Sequence, residues 1–339
     1  IIGSKIFNNG SCNTIIGGSV WSNNTTNSVV IGPKQLLNDF AVGFNTHKTV
    51  TIGSDNQIQA RKSTVLGSDN VLERVHNAVV VGSNNYNGHW LCNNVIVGTT
   101  NWVSGINNKL IGTRNYMYDT QNSVQIGNEN ITNYARCAFV LGDDNYTIKS
   151  RTLNLGVCTY GYNYGQISTA TDNGFGTAGS MQNISLSWKG VTTSSTAKQL
   201  YLDGVESAST WTSGLAYIPS GRIWNGTINI VAAQTGLADF KTWQKAITVY
   251  NKGATAGGVV IAGQDDVKVY SSSVNTNSWG VELKADTTNN ALALFATGAA
   301  LKNIVWNIQG SFNDTKIPTR EKLMSAKMVS GYRVPIVVQ

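Results

Sequence analysis

The chain has 339 residues, enough for two domains of ordinary size, and 41% of them are hydrophobic while only 13% are charged. Such a composition, with 35 glycines, is typical of fibrous or all-β surface proteins and argues against a cytosolic enzyme. The net charge of +7 includes no run of lysine or arginine, which argues against nucleic-acid binding, and no apolar stretch is long enough to insert into a membrane.

A repeat of about 15 residues organises the first half of the chain, and its clearest copy is VTIGSDNQI, residues 50–58. Each copy has an aliphatic residue, then a glycine, and an asparagine three residues after the glycine. Successive glycines are 14, 15, 16, 14, 15 and 15 residues apart. The repeat positions are Gly53, Asn56, Gly67, Asn70, Gly82, Asn85, Gly98, Asn101, Gly112, Asn115, Gly127, Asn130, Gly142 and Asn145. Fainter copies without the asparagine lie at Gly3, Gly17, Gly32, Gly43 and Gly156.

Each repeat predicts a strand, a turn, a second strand and a second turn. The apolar run predicts a buried strand, the glycine a position where a Cβ is not tolerated, and the following polar residues a turn. Two short strands per coil predict a flat, two-layered parallel β-roll over residues 1–157, in which stacked asparagines form a hydrogen-bonded ladder. Because so thin a roll buries little surface, we expect several chains, most simply three, to cover one another.

This IG-x-x-N repeat resembles the head repeats of trimeric autotransporter adhesins, which are left-handed parallel β-rolls in trimers, and similar repeats occur in bacteriophage tail fibres. The resemblance covers roughly residues 1–155 and implies a homotrimer. Irregular spacing between Gly32 and Gly53 predicts a bulge or inserted turn near residues 34–45. The repeat that opens at Ile1 suggests that further repeats precede it.

Aromatic residues are concentrated in two stretches of the roll, residues 84–93 and 113–121, which we expect to project from the coil edges. Exposed rings of this kind stack on sugars, and the alternative is that they pack against a neighbouring chain. The residues concerned are Tyr86, His89, Trp90, Tyr116, Met117 and Tyr118.

Residues 158–182 are rich in glycine, tyrosine, serine and threonine and predict a linker. From 183 to 315, longer alternating runs separated by turn residues predict an antiparallel β-sandwich, followed by a tail at 316–339 with a short helix at 319–328. The predicted strands are 184–188, 199–201, 227–232, 246–250, 259–262, 267–270, 279–283, 291–295 and 304–308.

Trp243, Trp279 and Trp306 fall inside these strand patterns and are predicted core residues. The candidate ligand-binding residues lie where turn residues are frequent, and the alternative is that they pack at a trimer axis. These candidates are Trp211, Tyr217 and Trp224.

The runs LYLDG (200–204), NGTINIVAAQTG (225–236) and IVWNIQGSF (304–312) resemble a β-domain of phage tail fibres and other virion proteins. In those proteins the domain often precedes a self-cleaving chaperone that trimerises the fibre and is then shed. The resemblance therefore implies that this chain is a mature product.

The histidines and cysteines lack metal-ligand spacing, so we expect no metal and no cofactor, and free buried thiols rather than disulfides. The residues concerned are His47, His76, His89, Cys12, Cys92, Cys137 and Cys158. Glycoside cleavage needs two carboxyl groups across a cleft. The candidate carboxylates are Asp143, Asp144, Asp265, Asp266, Glu73, Asp119 and Glu129.

Together these patterns predict an extracellular virion component: a homotrimeric phage tail fibre or receptor-binding protein without catalysis. Its expected partners are itself, other tail proteins and a host surface glycan or protein. The alternatives are a tailspike polysaccharide depolymerase, a bacterial trimeric surface adhesin and a purely structural fibre.

Overall fold

The computed structural model describes residues 1–37, 47–88, 93–171, 179–202, 204, 214–236, 239–253, 258–271 and 274–317. The chain divides into two compact units near residue 170. The predicted bulge near 34–45 lies largely outside the described residues, as do His89, Trp90, Cys92, Trp211 and the predicted helix at 319–328.

The first unit is a β-solenoid in which every coil contributes one strand to each of two parallel sheets. Its strands are β1 (Phe7–Ser11), β2 (Thr14–Ile16), β3 (Trp21–Thr26), β4 (Val29–Ile31), β5 (Leu36–Leu37), β6 (Val50–Ser54), β7 (Gln57–Arg61), β8 (Thr64–Ser68), β9 (Val71–His76), β10 (Val79–Ser83), β11 (Tyr86–Gly88), β12 (Val95–Thr99), β13 (Trp102–Ile106), β14 (Lys109–Thr113), β15 (Tyr116–Gln121), β16 (Val124–Asn128), β17 (Ile131–Asn133), β18 (Phe139–Asp143), β19 (Tyr146–Thr147), β20 (Leu153–Val157), β21 (Tyr160–Gly161) and β22 (Ile167–Ala170). The prediction of two short strands per coil is confirmed.

The odd-numbered strands β1 to β21 form one sheet of 11 strands, and the even-numbered strands pair in the same way from β2 to β20. Between the two sheets lies one hydrophobic core, to which both contribute, for example Ile96 from β12 and Val103 from β13. Since side chains alternate along a strand, the residues that flank each inward side chain point out of the solenoid.

The repeat glycines stack directly above one another, as in the pairing of Gly98 with Gly112 and of Gly112 with Gly127. Gly112 has a φ of 136°, and a Cβ built on it would lie 1.8 Å from the carbonyl oxygen of Gly127. The coils therefore approach too closely at this position for any other residue, as the repeat predicts.

The predicted asparagine ladder is confirmed, and each of its inner members is buried and makes four hydrogen bonds between coils. Asn85 Nδ2 donates to Asn70 Oδ1 at 3.0 Å and to the Gly98 carbonyl at 2.8 Å. Its Oδ1 accepts from the backbone N and the Nδ2 of Asn101, at 3.2 and 3.0 Å. All polar atoms of this side chain are thus satisfied inside the roll, which removes the cost of burying them.

The ladder also continues into coils that lack the asparagine. Gln35 takes its place after Gly32 and accepts from Asn56 Nδ2 at 3.2 Å. Thr159 takes it after Gly156, and its backbone N and Oγ1 donate to Asn145 Oδ1 at 2.8 and 2.7 Å.

The solenoid extends beyond residue 157, where the sequence analysis placed the start of a linker. Strand β21 pairs in register with β19, and the backbone N of Leu153 donates to the Gln166 carbonyl at 2.9 Å. The boundary expected between 157 and 158 is therefore too early, because tyrosine and glycine suit one more coil as well as they suit a linker.

The second unit consists of antiparallel strands. They are β23 (Met181–Thr192), β24 (Lys198–Leu202), β25 (Ala216–Tyr217), β26 (Arg222–Gln234), β27 (Phe240–Asn251), β28 (Val259–Ser271), β29 (Gly280–Asp286), β30 (Ala291–Thr297) and β31 (Ile304–Lys316), with a 3₁₀ turn at Val274–Thr276. The long strands are ordered β23-β31-β26-β27-β28, and β30 pairs with β29 on one side and with β24 and β25 on the other.

Eight of the nine predicted strands lie within these elements, and the ninth, 279–283, begins one residue before β29. The two runs 259–262 and 267–270 are parts of one strand, β28. The predicted core tryptophans Trp243, Trp279 and Trp306 are buried, as expected. An ion pair between Arg222 and Asp314 is also fully buried, and Gln182 Nε2 donates to the same carboxylate at 2.8 Å.

Candidate functional site

The outward face of the even-numbered strands is mainly aliphatic from β2 to β20. In each of these strands the second residue is buried, whereas the first and third residues point outward, as Val95 and Val97 do on either side of the buried Ile96. The residues at the first position that are not aliphatic are Thr14, Thr64, Lys109 and Phe139. The third position, just before the repeat glycine, is Ile16, Ile31, Ile52, Leu66, Val81, Val97, Ile111, Ile126, Leu141 and Leu155.

Several of these side chains are exposed in the single chain, for example Ile111 at 46% and Leu141 at 44%. Ten strands spaced about 4.8 Å apart, each about 10 Å wide at this position, make an apolar face on the order of 500 Å². This is as large as the largest apolar patch of a typical soluble monomer, and such patches often mark contact with another protein surface.

The outward face of the odd-numbered strands has a different chemistry. Its first strand position is aromatic in seven of eleven coils, and register brings these residues into one column. The aromatic members are Phe7, Trp21, Tyr86, Trp102, Tyr116, Tyr146 and Tyr160.

The column is densest in four consecutive coils, where five rings form one continuous surface that we call the aromatic platform. The platform consists of Tyr86, Trp102, Tyr116, Tyr118 and Tyr134. Trp102 contacts Tyr86 edge to face at 5.3 Å between ring centroids and Tyr116 at 5.0 Å. Tyr118 stacks beside Tyr116 at 6.2 Å and meets Tyr134 edge to face at 5.4 Å. Trp102, Tyr118 and Tyr134 are the most exposed of the five, at 44%, 38% and 51%.

Polar groups accompany the rings. The hydroxyl of Tyr86 donates to Glu73 Oε2 at 2.9 Å, and the ring lies over Gly88, where a Cβ would approach the hydroxyl oxygen to 2.6 Å. Burial, the hydrogen bond and the charge of Glu73 raise the pKa of Tyr86 to about 12, so its hydroxyl remains a donor at neutral pH. Asp119, next to Tyr118, is exposed at the other end of the platform.

The stretches 84–88 and 113–121 do not project from the coil edges as expected. They belong to strands β11, β14 and β15, and Met117 is a fully buried core residue. Asp119 is an extra residue in β15. Ser104 pairs with Tyr118 and Gly105 with Thr120, so the register of the two strands shifts by one residue at this bulge.

The two described candidates in the second unit, Tyr217 and Trp224, differ in exposure. Trp224 lies in β26 with 0% exposure and stacks on Phe312 at 5.2 Å, so the expectation that it is free to meet a ligand is wrong for this side chain. Tyr217 lies in β25 and is 38% exposed. Trp211 is outside the described residues.

The candidate carboxylates are not all far apart. Glu129 and Asp144 occupy the same turn position in neighbouring coils, where the backbone N of Asp144 donates to the Asn128 carbonyl at 3.0 Å. Glu73 and Asp119 lie on the same face but three strands apart, about 14 Å, whereas glycosidase carboxylates are about 5–10 Å apart. Glu129 is paired with Arg114 at 2.6 Å. Asp143 accepts two hydrogen bonds from Asn128, and Asp266 is paired with Lys245.

Among the described residues, no group of three or more histidine, cysteine or acidic side chains could hold a metal ion. Cys158 is buried as predicted, whereas Cys12 and Cys137 are exposed. In the part of the chain that is described, no helix is long and apolar enough to cross a membrane.

No known protein family matches the chain, and no curated protein matches it. Among solved structures, the chain is similar to the tailspike protein of the Acinetobacter phage vB_ApiP_P1. That match covers 92% of this chain and 81% of the tailspike chain, with 8% sequence identity and a TM-score of 0.21. A likeness of this size carries no argument about function, and the proposals below are based on the residues of the chain itself.

Proposed function

We propose that this protein is a homotrimeric fibre of a bacteriophage tail, exposed on the virion, that attaches the particle to the surface of the host cell. In this proposal the first unit is a left-handed β-roll that serves as a stiff shaft, and the second is a β-sandwich. The receptor is a surface glycan or an outer-surface protein, and the chain binds it without cleaving it.

The proposed trimer is supported by one observation, the aliphatic face of the even-numbered strands. Its third position is isoleucine, leucine or valine in all ten strands from β2 to β20, although this position points away from the core of the single chain. Three parallel rolls that share an axis would bury these faces against one another. At about 25 cal/mol per Å², a face on the order of 500 Å² contributes roughly 12 kcal/mol per chain before the entropic cost of association.

Assignment to a phage tail is supported by the runs at 200–204, 225–236 and 304–312, which resemble a virion β-domain. Binding without turnover is supported by the separation of Glu73 from Asp119, by the pairing of Glu129 with Arg114, and by the exposed aromatic side chains, Tyr217 and those of the platform.

Assembly is tested by sedimentation of the purified chain and of two variants in the same coil. We expect the native chain and Tyr118→Glu to sediment as trimers, because the glutamate at position 118 would point to solvent. We expect Ile111→Glu to dissociate or to lose its fold, because its glutamate would point to the trimer axis. A stable folded monomer of the native chain at micromolar concentration would contradict the trimer.

Attachment is tested by adsorption of the trimer to bacterial cells and to their purified polysaccharide. We expect adsorption with no change in polymer length, and chromatography that shows shortening with time would instead identify a depolymerase. Mass spectrometry of purified phage particles distinguishes a tail fibre from a bacterial adhesin, which would be found in the cell envelope.

A further inference from the structure

We propose that the aromatic platform is a binding site for an uncharged polysaccharide, whose chain lies along the solenoid axis in contact with Trp102, Tyr118 and Tyr134. This inference rests on the proposed attachment function and specifies its ligand class. It also moves the site from the loops of the second unit to the shaft.

The spacing of the platform suits a polymer. Neighbouring coils are about 4.8 Å apart, comparable to the length of one sugar ring in a chain, and the platform extends over four coils. The ring centroids of Tyr86, Trp102 and Tyr116 follow this spacing at 5.3 and 5.0 Å. A polysaccharide laid along the axis would therefore meet a new aromatic side chain at nearly every sugar.

The exposed rings are amphipathic, as sugar binding requires. Their faces contact the apolar side of a pyranose, and their hydroxyl groups exchange hydrogen bonds with its hydroxyls. The carboxylates of Glu73 and Asp119, at opposite ends of the platform, accept hydrogen bonds from sugar hydroxyls and repel uronic or sulfated sugars. This selects an uncharged chain.

Two structural explanations compete with this one. The first is that the rings only stabilise the sheet through cross-strand aromatic pairs. Such pairs do not require exposed rings, so this explanation does not account for the exposure of Trp102 and Tyr134. Burial in the trimer would hide the rings, but the aliphatic face is the better interface because its third position is aliphatic in all ten strands, which leaves fewer polar groups unpaired. Since the two sheets enclose a common core, the platform lies on the side opposite that face.

The test measures binding of the intact chain by calorimetry. The probes are oligomers of glucose, galactose, mannose and N-acetylglucosamine, from disaccharides to long chains, with alginate as the anionic probe. We expect at least one neutral series to bind with an affinity that rises with length, and alginate to bind more weakly. We expect the double variant Trp102→Ala, Tyr118→Ala to bind at least about tenfold more weakly.

The matched control is Trp21→Ala, which removes a ring from the same strand position, 49% exposed and stacked on Phe7 at 4.4 Å, but outside the platform. Its affinity for the longest bound oligomer should be unchanged. Trp102→Phe keeps an aromatic face and should bind more tightly than Trp102→Ala, which separates loss of a contact from loss of the fold.

If the native chain and the double variant bind the oligomers with equal affinity, the platform is not the binding site, and attachment occurs at another site. The same holds if the native chain adsorbs to cells but binds none of the oligomers, or if alginate binds as tightly as the neutral series. Failure to bind both cells and oligomers would overturn the platform and the proposed function together.

Discussion

Replacing Asn115 by alanine tests the asparagine ladder at its centre. Asn115 Nδ2 donates to Asn101 Oδ1 at 3.1 Å and to the Gly127 carbonyl at 2.7 Å. Its Oδ1 accepts from the backbone N and the Nδ2 of Asn130, at 3.0 and 3.1 Å. Beyond these ladder bonds, the same Oδ1 accepts from Gln125 Nε2 at 3.3 Å. The side chain is 1% exposed, so bulk water cannot replace these five bonds.

The variant leaves at least three buried groups without these partners: the Gly127 carbonyl and two N–H groups of Asn130. An orphaned buried group costs about 1–3 kcal/mol, so we expect the free energy of unfolding to fall by at least about 3 kcal/mol per chain. For a unit of this size, that corresponds to a melting temperature lower by about 6–12 °C.

The measurement is thermal unfolding followed by circular dichroism, with Asn107→Gly as the matched control. Asn107 belongs to a second, exposed series of asparagines, in which its Nδ2 donates to Asn122 Oδ1 at 3.0 Å and its Oδ1 accepts from Asn93 Nδ2 at 2.8 Å. Glycine suits its φ of 57°, and water can replace both bonds, so the loss should stay near 0.5 kcal/mol. Equal melting temperatures for the native chain and Asn115→Ala would show that the ladder does not stabilise the solenoid.

Three further predictions concern other contacts. Gly112→Ala should abolish the cooperative melting of the solenoid, because its Cβ would meet the Gly127 carbonyl at 1.8 Å. Asp314→Ala should destabilise the second unit by about 3–5 kcal/mol in guanidinium unfolding, because it leaves a buried arginine unpaired. Since the pKa of Tyr86 is raised to about 12, the folded chain holds a proton that the unfolded chain releases near pH 10, and stability should fall as pH rises from 10 to 12. Tyr86→Phe should reduce that fall, and an identical pH dependence of unfolding would refute the assignment.

Much of the solenoid could be predicted because its cause is local and repeats. A glycine that tolerates no Cβ and an asparagine that must bond to its own copies both recur at fixed spacing, so their register follows from periodicity alone. Gln35 and Thr159 could not be predicted as ladder members, because nothing in their own repeats shows that a longer amide or a hydroxyl reaches the same partner.

The candidate site was harder to predict, because it depends on register between coils and on the ends of long strands. The aromatic residues were recognised, but their alignment into one surface requires the pairing of Tyr86 with Trp102 and of Trp102 with Tyr116. Trp224 was misjudged for a related reason. Turn residues precede it, but β26 already begins at Arg222 and carries the ring into the core.

The contrast between the two outward faces has a cause other than folding. In each coil the ladder asparagine, the repeat glycine and the inward residues already satisfy the backbone and fill the core, so the outward residues are free to vary. On one face they are nevertheless aliphatic at the third position of ten successive strands, and on the other they are aromatic at the first position in seven of eleven. Two surfaces that folding leaves unconstrained, yet that differ so consistently, indicate two different partners. A mainly aliphatic face suits a copy of itself, and a face of exposed tyrosine and tryptophan suits a hydrated ligand.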